Sequence, residues 1–354
     1  MSSQWESFDA EPLSVIDKDG KLVGDLPIPA KDVDFVVELY RAMVLARTFD
    51  TKAIALQRTG RLGTYASCLG QEAIGTGIAF AMSEQDVLLP SFREHAAQLI
   101  RGVTPTELFQ YWGGDERGNN FAQPRRDFPV CIPVGSHFSH AAGVALAKAQ
   151  LKEAGAAVAI AGDGATSKGD FYEAINVIGV WQLPAIFVIN NNQWAISVPV
   201  PAQTASETLA QKAIAAGIPG VRVDGNDALA VYAATSAALN RVQSGKGPTL
   251  IECLSYRLSD HTTADDAGRY RDEEEVSRHW PDEPVRRLRQ YLVDNHGWNK
   301  ENEESLIKTC AEEIEAAAEA YLNISADSPS AMFAHLYETP PEHVEQTQAE
   351  VKNG

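Results

Sequence analysis

The sequence predicts an α/β protein built on a largely parallel sheet flanked by helices, and three observations carry that reading. The run Ala156 to Ala161 consists of small or β-branched residues throughout, as in a strand buried on both faces. After a Gly-Asp-Gly turn, Phe171, Ala174, Ile175, Ile178 and Trp181 recur at helical spacing until Leu183-Pro184 ends the pattern. AIFVIN (185–190) is then a second buried strand. Strand, helix and parallel strand form a right-handed crossover, which brings Asp163 and the Asn190–Asn192 run to the same edge of the sheet.

Residues 1–30, rich in Pro, Gly and Asp, read as an arm with a short hairpin at Asp19-Gly20, free to reach a partner subunit. Val33, Val36, Val37, Tyr40, Val44 and Leu45 place a long helix over 31–59, ended by Gly60. GVRVDGND (220–227) is a strand and turn, a helix follows from Leu229 to Val242, and PTLIECLSY (248–256) is a further strand. That strand delivers a polar loop, 258–276 with its DEEE run, to the sheet edge. Leu306, Ile307, Cys310, Ile314, Ala318 and Tyr321 give an amphipathic packing helix, and HVEQTQAEVKNG reads as a frayed end. The division is therefore an arm (1–30), one α/β domain (31–340) and a tail (341–354).

With 44% hydrophobic and 22% charged residues, the composition is that of a globular protein. A net charge of −18 opposes nucleic acid, whose binding depends on neutralising phosphates, and also an anionic membrane surface. No apolar run approaches the ~18 residues a membrane span needs. Cys68, Cys131, Cys253 and Cys310 are widely spaced, which suggests neither a disulfide framework nor a zinc site and fits a reducing cytoplasm. The opening MSSQWESFDAEP lacks the pattern of a signal or transit peptide.

The chemistry concentrates in GDGATSKGDF (162–171) and NNNQWAIS (190–197). Gly162 and Gly164 lack Cβ, so backbone amides can approach an anion closely, and the helix that follows offers free N–H groups. Magnesium takes about six oxygens. Asp163 can give a carboxylate oxygen, Asn192 an amide oxygen and Trp194 a backbone carbonyl. The pair of strings thus predicts a magnesium ion carrying a diphosphate.

Further strings occur in order between Ala30 and Tyr291: GQEAIGTG (70–77), FREHA (92–96), AAGVALA (141–147) and YRLSDHTTADDAGRYR (256–271). With the two above, they make the chain resemble the alpha subunit of the thiamine-dependent first component of 2-oxo acid dehydrogenase complexes, that of pyruvate dehydrogenase above all. The resemblance implies a thiamine diphosphate-binding fold in which Asp163, Asn192 and the Trp194 carbonyl hold Mg2+. It implies that Gly162, Gly164 and Ala165 meet the diphosphate, that Phe92 and Arg93 are an aromatic–arginine pair at the phosphate, and that Ile132 and Val134 offer backbone groups to the aminopyrimidine ring. Arginine suits a phosphate because its planar fork binds two oxygens and keeps its charge.

His261 matches a histidine of the family's active-site loop and is the expected catalytic proton carrier, which a nearby diphosphate would tend to charge. The implied reaction is oxidative decarboxylation of pyruvate with acetylation of a lipoyl group on a core acyltransferase. The implied assembly has two alpha and two beta chains, the beta chain supplying the carboxylate against the aminopyrimidine. Residues 106–130 contain no histidine where the family has a second one, which leaves the choice of 2-oxo acid open. His137 stands where the family has a glutamine and is expected to be structural. A branched-chain 2-oxo acid (3-methyl-2-oxobutanoate) or acetoin dehydrogenase alpha subunit would share these strings, and a scaffold subunit without catalysis is the alternative from another class.

Overall fold

The computed structural model describes residues 11–123 and 126–353. Its frame is a five-stranded, wholly parallel sheet. The strands are β1 (Val87–Leu89), β2 (Ala157–Gly162), β3 (Ala185–Asn191), β6 (Gly220–Asp224) and β7 (Thr249–Leu254), in the order β1-β2-β3-β7-β6. A two-stranded hairpin, β4 (Trp194–Ala195) and β5 (Val198–Pro199), follows β3.

Helices cover both faces, as continuous apolar strands require. Alternation along β2 and β3 explains the two layers. Val158, Ile160, Ile186 and Val188 pack with Leu39, Met43, Ile74 and Leu229, from the helices Val33–Arg58, Glu72–Ala81 and Ala228–Gln243. Ala157, Ala159, Ala161 and Phe187 point the other way, toward the helices Ser136–Leu151 and Gly169–Val180. The small β2 side chains leave room there for an aromatic cluster, with Phe138 ring centroids 4.7 Å from Phe187 and 5.3 Å from Phe171.

The strand and helix expectations hold to within a few residues, while several details are corrected. Trp181 caps the helix Gly169–Val180 and is exposed, and Ile307 is exposed on the helix Lys300–Leu322. The end of the chain, expected to fray, forms a helix at Glu342–Asn353 that tucks Val344 inward. The DEEE run is the start of a helix, Glu273–His279, capped by Asp272, with acidic groups favourably placed at its positive end.

Part of the arm packs on the sheet over the residues described. Leu13 bridges Val223, the backbone N–H groups of Val15 and Ile16 donate to Asp227, and the turn at Asp17–Gly20 closes a bridge between Ile16 and Leu22. The same Asp227 caps the helix Ala228–Gln243, so one buried carboxyl ties arm to sheet. The first ten residues and Gly354 lie outside the described residues. No helix among those described is long and apolar enough to cross a membrane.

Candidate active site

The β2–β3 register pairs Gly162 with Asn190, so the two predicted strings meet at the C-terminal edge of adjacent strands. Phe92, Arg93, Ile132, Val134, Gly162, Asp163, Gly164, Ala165, Asn192, Trp194 and His261 all line one cavity of about 520 Å³ there. Ligands bind at this edge in open α/β sheets because the loops diverge and leave a crevice.

One corner of the cavity gathers three oxygens. Asn192 Oδ1 lies 3.1 Å from the Trp194 carbonyl oxygen and 3.3 Å from Asp163 Oδ1, three acceptors with no donor among them. Such a cluster is repulsive unless a cation, or a rotated amide nitrogen, sits at its centre. Gln203 Nε2 holds the other Asp163 oxygen, leaving Oδ1 aimed at the corner. Burial pushes the Asp163 carboxyl above its ordinary range. The hairpin is bent to present the carbonyl: Gln193 (φ 73°) and Ile196 (φ 56°), either side of Trp194 and Ala195, occupy the left-handed region.

The glycines act differently from one another. A Cβ on Gly162 would meet nothing within 4 Å, whereas one on Gly164 would stand 2.7 Å from the Ala195 Cβ. Gly164 thus lets the hairpin close over the turn. Nor does the long helix start at the turn, as expected from the sequence. Asp163–Ser167 is a 3-10 turn, and the α-helix begins only at Gly169.

Beside the oxygen corner stand buried cations. Arg93 is 8% exposed and Arg257 fully buried, with Arg271 behind them. Among the described residues none of the three forms an ion pair. Arg93 donates to the carbonyls of Ser67 and His261, and Arg257 to those of Trp194 (3.3 Å) and Ile196 (2.8 Å). Arg257 Nε has no partner. Burial and then the neighbouring Arg257 push Arg93 down to about 10, which leaves it charged. Uncompensated buried charge costs several kcal/mol, so an anion beside Arg93 and Arg257 would relieve the site. An oxygen corner for a dication and arginines for an anion together fit a metal-bound diphosphate.

His261 is pinned beside Phe92, and its Nδ1 lies 2.9 Å from the Arg93 guanidinium. Arginine can only donate, so Nδ1 accepts and the neutral ring carries its proton on Nε2. Asp265 fixes the loop by accepting from the backbone N–H of His261 and the Tyr270 hydroxyl. Burial, then Arg93 and Arg257, lower the His261 pKa to about 4. In cofactor-free protein, a histidine-selective NMR titration should therefore show His261 with a midpoint near 4 rather than 6.5. Adding a diphosphate ligand should move it upward, since an adjacent anion favours the imidazolium. A midpoint already near the unperturbed value without ligand would contradict this arrangement.

Ile132 and Val134 sit on the rim, 48% and 47% exposed, with exposed Ile196 and Val198 also on the hairpin side. Sequence reasoning passed over four groups that shape the site: Gln71, Glu94, Gln203 and Arg257. Glu94 lines the cavity, accepts from the Ser91 hydroxyl and the Arg93 N–H, and is pushed by burial up to about 7. Only the FREHA string hinted at it. Where a second histidine is absent, Trp112 lines the cavity, and its indole N–H donates to buried His95 (3.1 Å). His137 also borders the cavity, but its Nε2 is committed to the Ile160 carbonyl at 3.0 Å, and burial lowers its pKa to about 4.

Comparison with known proteins gives these features a context. A family model described as "Dehydrogenase E1 component" matches residues 40–325. The chain is 42% identical over 309 residues to the 3-methyl-2-oxobutanoate dehydrogenase subunit alpha of Mycobacterium tuberculosis, covering 86% of this chain and 83% of that one. It is 39% identical over 335 residues to the pyruvate dehydrogenase E1 component subunit alpha of Staphylococcus aureus, covering 94% and 90%.

Proposed function

The chain belongs to the dehydrogenase E1 component family, and on that footing we propose that it is the alpha subunit of a 2-oxo acid dehydrogenase acting on pyruvate. Membership implies use of thiamine diphosphate. The carrying observation is the oxygen corner of Asp163, Asn192 and Trp194 beside the buried Arg93 and Arg257, for which no ion pair is found among the described residues. When bound, thiamine diphosphate supplies the electron sink for loss of carbon dioxide, a job no side chain performs.

The residues bind, orient and move protons. Asp163 Oδ1, Asn192 Oδ1 and the Trp194 carbonyl would hold Mg2+, and Arg93 with Arg257 would meet the diphosphate. The turn at Gly162, Gly164 and Ala165 leaves the backbone open to the same group, and Phe92 walls the cavity beside His261. Ile132 and Val134 would flank the aminopyrimidine ring. His261, with its Nε2 proton free of any partner among the described residues, would carry protons during decarboxylation or acyl transfer to a lipoyl group of the core acyltransferase.

The E1 alpha relatives imply a beta-subunit partner. The assembly we propose has two alpha and two beta chains, and the apolar rim of Ile132, Val134, Ile196 and Val198 at the mouth offers the beta chain a surface. Both cavity carboxyls of this chain are already engaged, Asp163 with the oxygen corner and Glu94 with Ser91 and Arg93. A partner carboxylate against the aminopyrimidine therefore completes the reading. The four cysteines are free thiols, in keeping with a cytoplasmic setting.

A second reading, a branched-chain substrate, is favoured by the M. tuberculosis relative. Turnover of pyruvate against 3-methyl-2-oxobutanoate by this chain co-purified with its beta partner decides between them. We expect the larger kcat/KM for pyruvate; the reverse order would replace the first reading by the second.

A further inference from the structure

We infer that Gln71 is a positioning residue for the cation corner: its carboxamide oxygen takes the Asn192 side-chain nitrogen and so turns the Asn192 oxygen toward Asp163 and Trp194. The inference rests on the magnesium reading above. It assigns a task to the GQEA string, which otherwise has none in the site.

An asparagine amide can present either end with nearly the same shape, and its partners decide which. With its nitrogen inward, Asn192 would donate to the Trp194 carbonyl at 3.1 Å and to Asp163 Oδ1 at 3.3 Å, satisfying both and excluding a cation. With its nitrogen outward, Asn192 instead donates to Gln71 Oε1 at 2.8 Å and turns its oxygen to the corner. Asn190 Nδ2 donates to the same oxygen at 2.9 Å, and Asn190 Oδ1 is itself taken by the Ser255 hydroxyl at 2.8 Å. Reversing Gln71 and both asparagines together would keep these contacts, because the Ser255 hydroxyl can accept as well as donate, but a cation at the corner requires the Asn192 oxygen and excludes that arrangement. With a cation at the corner, the chain Ser255, Asn190, Gln71, Asn192 therefore runs one way only, with Gln71 showing its oxygen to both asparagine nitrogens.

Two further observations separate this role from ordinary packing. Gln71 is the N-cap residue of the helix Glu72–Ala81, yet its side chain makes no capping hydrogen bond. Glutamine is outside the Ser, Thr, Asp and Asn set that caps helices well, so helix geometry does not explain it. Its Nε2, moreover, is buried without a partner, in a residue only 4% exposed. A buried unsatisfied donor costs about 1–3 kcal/mol, a penalty the acceptor side of the same amide must offset.

The test is Mn2+ affinity, read by the loss of free-ion EPR signal, in the alpha–beta complex with saturating thiamine diphosphate. Gln71→Met keeps the length and removes the acceptor; it should weaken Mn2+ by about 10–100-fold, the usual cost of losing an outer-shell partner. Gln71→Glu keeps acceptor oxygens and should stay within about threefold of the parent. In an Asn192→Asp background either end of the side chain is an oxygen, so adding Gln71→Met should cost less than about threefold.

Equal losses in both backgrounds would make Gln71 merely structural and overturn the inference, as would unaltered affinity in Gln71→Met. Should Gln71→Met fail to fold, Gln71→Glu still decides, because a loss as large as that of Asp163→Ala would overturn the proposal. Unchanged Mn2+ affinity in Asp163→Ala itself would instead sink the magnesium reading, which keeps the two failures distinct.

Discussion

Replacing Asp163 with Ala should weaken Mg2+-dependent binding of thiamine diphosphate by on the order of a hundredfold or more. Losing even an outer-shell partner of a metal costs about 10–100-fold, and Asp163 is the one charged group of the oxygen corner. Its two neighbours there are neutral, an amide and a carbonyl, so the variant retains no carboxylate to balance a dication. Asp163→Asn, which keeps an oxygen without the charge, should fall between Ala and the parent.

The fold should survive the change. Burial raises the Asp163 carboxyl above its ordinary value, so its ionised form is disfavoured in the folded, metal-free protein, and removing it relieves a cost. Without metal, the thermal midpoint of Asp163→Ala should equal or exceed the parent's, while added Mg2+ and cofactor should raise the parent's midpoint only. Tight calorimetric binding by this variant would refute the metal assignment.

How far the site was legible follows from where its parts lie along the chain. Asp163 and Asn192 were readable together because one helix and one strand separate them, and a right-handed crossover leaves a single arrangement of the two strand ends. Gln71 and Arg257 come from elements remote in sequence and Gln203 from the short helix after the hairpin, and their side chains matter through hydrogen bonds that no local pattern encodes. The hairpin strain was hidden for a different reason. Gln193 and Ile196 hold positive φ without being glycine, so composition gave no sign that the Trp194 carbonyl would be turned inward. The terminal helix Glu342–Asn353 is not legible in the sequence because, among the side chains described along it, only Val344 is buried, too little apolar surface to produce a helical period.

His261→Ala should leave cofactor affinity within a modest factor while lowering lipoyl acylation by about 10²-fold or more, the usual worth of a positioned proton carrier. The first half follows from charge. With its pKa lowered to about 4, His261 is neutral in the cofactor-free protein, and Arg93 in the cavity lining, with Arg257 buried beside it, supplies the positive charge. The variant also keeps the His261 carbonyl that Arg93 grips, since that acceptor belongs to the backbone, and the Asp265 contact to the same residue's N–H. The arginine should hold its place. The second half follows from the tautomer: with Nδ1 occupied by Arg93, Nε2 is the proton-bearing atom left to serve the reaction, and alanine has none. Assaying pyruvate decarboxylation with an artificial electron acceptor beside the full lipoyl reaction would show which step loses its proton carrier. A variant that acylates the lipoyl group at the parent's rate would remove His261 from the mechanism, whereas one that no longer binds thiamine diphosphate would show that the imidazole anchors the diphosphate.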